Sequence, residues 1–82
     1  MTKREEFIDY LDVIESMYDA KIRWVSKNLV VVTLEYGGLA LSRMFNAREA
    51  EFAPMSGSTY ADRLFKNMYK EFDEELRIHG VY

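Results

Sequence analysis

Val30-Val31-Val32-Thr33-Leu34-Glu35-Tyr36-Gly37-Gly38-Leu39-Ala40-Leu41-Ser42-Arg43-Met44-Phe45 is the stretch that decides the fold. Val30, Val32, Leu34 and Tyr36 recur at every second position, the period of a strand with one buried face. Gly37-Gly38 follows as a two-residue hairpin loop, where both central residues need positive φ and glycine supplies it without steric cost. That loop length sets a register: Tyr36 opposite Leu39, Leu34 opposite Leu41, Val32 opposite Arg43 and Val30 opposite Phe45. A slip of one residue would turn the whole apolar set toward water, so the pattern specifies the pairing. Arg43 is the misfit, a guanidinium on the apolar face. It has two readings: a side chain that snorkels or is re-aimed by a bulge, or a guanidinium paired with an acid such as Glu75 or held for a partner's carboxylate.

Upstream, Ile22 and Trp24 alternate with Arg23, and Ser26-Lys27-Asn28 supplies turn residues. A three-residue loop there pairs Trp24 with Val30 and Ile22 with Val32, which makes Trp24 a core anchor. A three-stranded antiparallel meander results. Its other face carries Arg23, Val25, Leu29, Val31, Thr33, Glu35, Ala40, Ser42 and Met44. That set is apolar enough to suggest cover by a partner or a second copy of the chain.

Both flanks of the meander change period from 2 to 3.6. Thr2-Lys3-Arg4-Glu5 reads as a capping box, followed by an apolar stripe of Phe7, Tyr10, Leu11, Ile14, Met17 and Tyr18. Beyond the sheet, Asn46-Ala47-Arg48-Glu49 has the residues to cap one helical turn. Pro54 and Gly57 then place Phe52-Ala53-Pro54-Met55 on an ordered loop. Ser58 or Thr59 opens a last helix with the stripe Ala61, Leu64, Phe65, Met68, Tyr69, Phe72 and Leu76. Its solvent face offers Asp62–Lys66, Lys70–Glu74 and Asp73–Arg77 at i,i+4. His79-Gly80-Val81 forms a glycine stop with Val81 returning to Leu76. The expected elements are a helix at about 2–19, strands at about 21–26, 29–36 and 39–45, a loop at about 46–58, and a helix at about 59–79. Together they describe one small α+β domain of order α-β-β-β-α, with two helices packed on one face of the sheet.

With 82 residues and hydrophobic types at 49%, the chain can build one core and no second. Its expected stability is about 4–12 kcal/mol. It has no cysteine, which removes disulfides, thiolate nucleophiles and thiolate metal sites, and its one imidazole, His79, reads as a helix cap. No carboxylates converge with metal-ligand spacing, Ser56-Gly57-Ser58-Thr59 lacks the lysine and glycine spacing of a phosphate loop, and no cofactor motif occurs. The expectation is a chain without catalysis. No secretory leader or membrane-spanning run is visible, so a cytoplasmic setting is expected, in the host cell if the chain is phage-borne.

The net charge of −3 is unevenly spread. Residues 1–20 carry six acids against two bases, residues 21–48 five bases against one acid, and residues 49–82 seven acids against four bases. Such a dipolar surface suits recognition of a charged partner. Asp9, Asp12 and Asp19 form an acidic helical stripe without basic neighbours at i+4, Phe52 and Met55 an apolar loop, and Arg43 a lone guanidinium. These six are the candidate partner-binding residues. The expected function is a small protein-binding module, an inhibitor or adaptor in the general style of phage and mobile-element accessory proteins. A nucleic-acid-associated regulator is the alternative, using Lys21, Arg23, Lys27 and Arg43 with the rings of Trp24 and Tyr36, and a homodimer through a sheet edge or the outer face is a further option.

Overall fold

The computed structural model describes residues 1–81. Helix α1 (Lys3–Tyr18) leads into strands β1 (Lys21–Trp24), β2 (Leu29–Tyr36) and β3 (Leu39–Asn46), then a short helix α2 (Ala47–Phe52) and the long α3 (Gly57–Ile78). The capping box is present: Glu5 N donates to Thr2 Oγ1 at 3.1 Å and Thr2 N donates to Glu5 Oε1 at 3.0 Å. Those bonds hold the Glu5 carboxyl below its usual range.

The sheet is the expected antiparallel meander of order β1-β2-β3. Its register pairs Tyr36 with Leu39, Leu34 with Leu41, Val32 with Arg43, Val30 with Phe45, Ile22 with Val32 and Trp24 with Val30. Gly37 and Gly38 both have positive φ, +58° and +83°, as a type I′ turn requires. The inner face buries Val30, Val32, Leu34 and Phe45 against Phe7, Leu11 and Ile14 of α1 and Ala61, Phe65, Met68, Phe72 and Leu76 of α3. The outer face has no cover from the described chain. Thr33 and Ser42 share a hydrogen bond there at 2.8 Å, and Lys21 pairs with Glu35 at 3.2 Å.

The two long helices run parallel. Lys3 lies against Gly57, Tyr10 bonds to Asp62, and Tyr18 packs its ring on Phe65 and Tyr69, so the sequences advance together. The amino end of α1 reaches the Ser26–Asn28 turn, where Arg4 donates to Asn28 Oδ1 at 2.9 Å and to the Lys27 carbonyl. The carboxyl end of α3 reaches the Gly37-Gly38 hairpin, where Val81 packs against Gly37. At the amino ends, Gly57 N donates to Glu6 Oε1 at 3.1 Å and Lys3 Nζ donates to the Ala53 carbonyl. Helix α1 therefore satisfies the first amide of α3 and the carbonyl that ends α2. Midway, the Tyr10 hydroxyl donates to Asp62, which also pairs with Lys66 at 2.8 Å. That bond, with burial second, pushes the Tyr10 phenol up to about 12. Lys66 first, and Tyr10 second, hold the Asp62 carboxyl below its usual range.

Several expectations need correction. Residues 46–58 are not one loop, because Asn46 Oδ1 accepts from Arg48 N at 2.9 Å and caps α2. The last helix begins at Gly57 with Ser56 as its cap, since Ser56 Oγ accepts from Thr59 N at 3.1 Å. Strand β1 ends at Trp24, where the turn takes over: Ser26 Oγ accepts from Leu29 N at 3.1 Å. Met17 is exposed, so the buried stripe of α1 is narrower than its apolar pattern. Trp24 is on the helix-facing side but is 40% exposed, because it sits at a sheet corner beyond the reach of the core.

Candidate functional site

Strand β1 pairs only with Val30–Thr33, whereas β2 continues to Tyr36. The cause is local. Helix α1 stops at Tyr18, Asp19 caps it in the left-handed conformation at φ +56°, and Ala20 is buried before the strand starts at Lys21. The upper part of β2 is left without a strand on that side. A cavity of about 240 Å³ opens there, between the last turn of α1, the end of β2 and the C-terminal half of α3.

Its apolar lining is Tyr18, Leu34, Tyr36, Tyr69, Phe72 and Leu76, and its acids are Glu35 and Asp73. Leu34, Phe72 and Leu76 are buried, so the cavity stands directly on the core. The tyrosines are open to solvent: Tyr18 43%, Tyr69 44% and Tyr36 60% exposed. Tyr18 and Tyr69 meet edge to face with centroids 5.5 Å apart, a favoured geometry that braces one wall. Glu35 pairs with Lys21 at 3.2 Å at exposed positions, and the half-buried Asp73 pairs with the exposed Arg77 at 3.2 Å. The carboxyl end of α1 lies on this side and contributes negative partial charge, whereas the end of α3 carries Arg77 and has its last carbonyls capped by the His79, Gly80 and Val81 amides. The last turn of α1 has no basic residue to offset it. The arrangement can bury an apolar group against rings while attracting positive charge.

The six residues selected from the sequence do not converge here. Asp9 and Asp12 are exposed on α1, away from its buried side. Asp19 alone adjoins the cavity in sequence, next to Tyr18. Arg43 does lie on the helix-facing side of β3, but its guanidinium reaches out to Glu71 of α3, not Glu75, and donates to the Ser42 carbonyl at 2.8 Å. Phe52 is 76% exposed at the opposite end of the molecule, and Met55 is half-buried near it. Phe52 shares that end with Arg4, Lys27 and Arg48, and Trp24 lies beside Lys27.

Periodicity alone assigns the tyrosines of the cavity to the core. A signal was present: each is tyrosine and not phenylalanine, and Tyr18 and Tyr36 close their elements, where a tapering core leaves large rings half covered. Among the described residues, no group of three or more potential ligands could hold a metal ion, and no helix is long and apolar enough to cross a membrane. Compared with protein-family models, with curated proteins and with solved structures, the chain matches none.

Proposed function

We propose that this chain is a non-catalytic protein-binding module, an inhibitor or adaptor, that engages its partner through the hairpin end. It acts in the cytoplasm, of the host cell if the chain is phage-borne. The observation that carries the reading is the tyrosine-walled cavity left open where β1 stops short of β2. Tyrosine brings large contact area at low conformational cost and is concentrated at interface hot spots. Three half-exposed tyrosines over a buried floor fit that use better than they fit a solvated surface.

The test is affinity capture of proteins from a host lysate with the wild-type chain and with a Tyr36→Ala/Tyr69→Ala variant whose fold is verified by circular dichroism. A protein held by the wild type in a nuclease-resistant complex of fixed stoichiometry, and released by the double variant, supports the proposal. A partner that both chains hold equally moves the interface elsewhere, with the acidic α1 stripe and the Phe52–Met55 segment next in order.

One observation favours a second reading, a nucleic-acid-associated regulator. Trp24 is exposed beside Lys27, at the end of the molecule that also holds Arg48 and Phe52. Exposed rings among basic side chains can stack on bases and neutralise phosphates. Oligonucleotide binding that falls steeply between low and moderate salt, and that Trp24→Ala weakens, would select it. Light scattering across concentration reports whether the outer sheet face pairs two copies.

A further inference from the structure

We propose that the cavity between Tyr18, Tyr36, Tyr69 and Phe72 is a receptor for one cationic side chain, a lysine or arginine presented by the partner protein. This rests on the protein-binding reading and adds the chemistry of the recognised group.

Three features converge on a cation. The walls are aromatic, and a ring attracts an ammonium or guanidinium group through its quadrupole while the apolar stem of the same side chain fills the space below. The floor of Leu34, Phe72 and Leu76 is buried and suits that stem. The carboxyl end of α1 lies on this side with no basic residue in its last turn, and Asp19 places a further negative charge there.

The rim carboxylates are compatible with this occupant. Glu35 and the half-buried Asp73 each have a basic neighbour, Lys21 and Arg77, whose own side chains are exposed to solvent. An entering cation shares these carboxylates and does not require a vacant one. Lys66 and Lys70 lie on the far side of the Tyr18–Tyr69 wall, in a neighbouring groove, and they bias the approach toward the β2 side. A neutral apolar occupant would use the floor and leave the potential at the α1 end and Asp19 unanswered. An anionic one would oppose it.

The experiment titrates the intact chain, by proton NMR at constant ionic strength, with three probes: acetyl-Gly-Lys-Gly-amide, acetyl-Gly-Arg-Gly-amide and the norleucine analogue of the first. Saturable shifts of the Tyr18, Tyr36 and Tyr69 ring resonances are expected with the cationic probes. Their affinity should exceed that of the norleucine peptide by roughly fivefold. Tyr36→Leu/Tyr69→Leu keeps apolar area and removes two of the three rings, so it should reduce the preference. Equal binding of the norleucine peptide, absent shifts, or an unchanged preference in the leucine variant would each overturn the proposal. The failures are separable. Loss of a captured protein by Tyr36→Ala/Tyr69→Ala without cation preference leaves the module reading and removes the cation. Cation preference with no captured protein affected does the reverse.

Discussion

A β-carbon on Gly57 would stand 1.8 Å from the carbonyl oxygen of Lys3. Both groups are backbone or fixed to it, so no side-chain rotation relieves the overlap, and the Phe7 amide nitrogen lies 2.8 Å from the same point. The first turns of α1 and α3 cross there because residue 57 has no side chain. Gly57→Ala must separate them, exposing Phe7 and Ala61. We expect a loss of about 3 kcal/mol or more, at the upper range for overpacking, against a total of about 4–12 kcal/mol. Urea unfolding followed by circular dichroism measures it. An unchanged midpoint would mean that the two helices do not touch at this residue.

Asp19 closes α1 in a conformation that favours glycine or asparagine, and places a negative charge at the negative end of the helix. Asp19→Asn keeps the geometry and removes the charge. The midpoint of unfolding should rise by about 0.5–1 kcal/mol equivalent. If the cavity takes a cation, the same variant should bind the lysine peptide more weakly, so stability and recognition move in opposite directions.

The Tyr10–Asp62 bond makes stability depend on pH at both extremes. The Tyr10 phenol is raised from 10 to about 12, so its contribution is complete below pH 10 and is lost as pH rises through 12. Tyr60, raised by burial and then by its bond to Glu49, acts in the same direction. The Asp62 carboxyl is lowered from 3.8, so its contribution is present above that pH and is lost on acidification. Urea midpoints measured from about pH 9 upward should fall for the wild type and fall less for Tyr10→Phe. Equal slopes would show that the phenol donates no proton to Asp62 in solution.

Arg43 and Glu71 pair with both side chains about half exposed. A double-mutant cycle with Arg43→Ala and Glu71→Ala should give a coupling under about 1 kcal/mol. A larger value would make Arg43 a structural element, not a residue available to a partner.

The meander was legible because its two loops are short and their chemistry is specific. Gly37-Gly38 and Ser26–Asn28 each dictate a register, and the two agree on one apolar face. The capping box at Thr2 and the glycine stop were legible for the same local reason: Val81 N donates to the Leu76 carbonyl at 2.9 Å and Gly80 takes φ +68°. The relation of the helices was harder, since periodicity reports which side is apolar and not what covers it. Met17 and Trp24 belong to correct stripes but lie where the opposing layer ends. One unused clue was Ala47, Ala50, Ala53, Gly57 and Ala61, small residues every three or four positions, all buried. They mark the segment that α1 approaches most closely. The cavity was hidden because it depends on the unequal lengths of β1 and β2, a property of two strands that neither pattern contains alone.

Parallel packing of the first and last helices also orders the events of folding. The seam between them joins residues about fifty positions apart, Lys3 to Ala53, Glu6 to Gly57 and Tyr10 to Asp62. The β2–β3 hairpin closes through two residues, so it can form before that long loop is closed. Substitutions in the hairpin, such as Gly37→Ala, should then slow refolding. Those in the seam, such as Tyr10→Phe, should chiefly speed unfolding. Lifetime of the native state is thus set along the seam between the helices, and its rate of birth at the glycine turn.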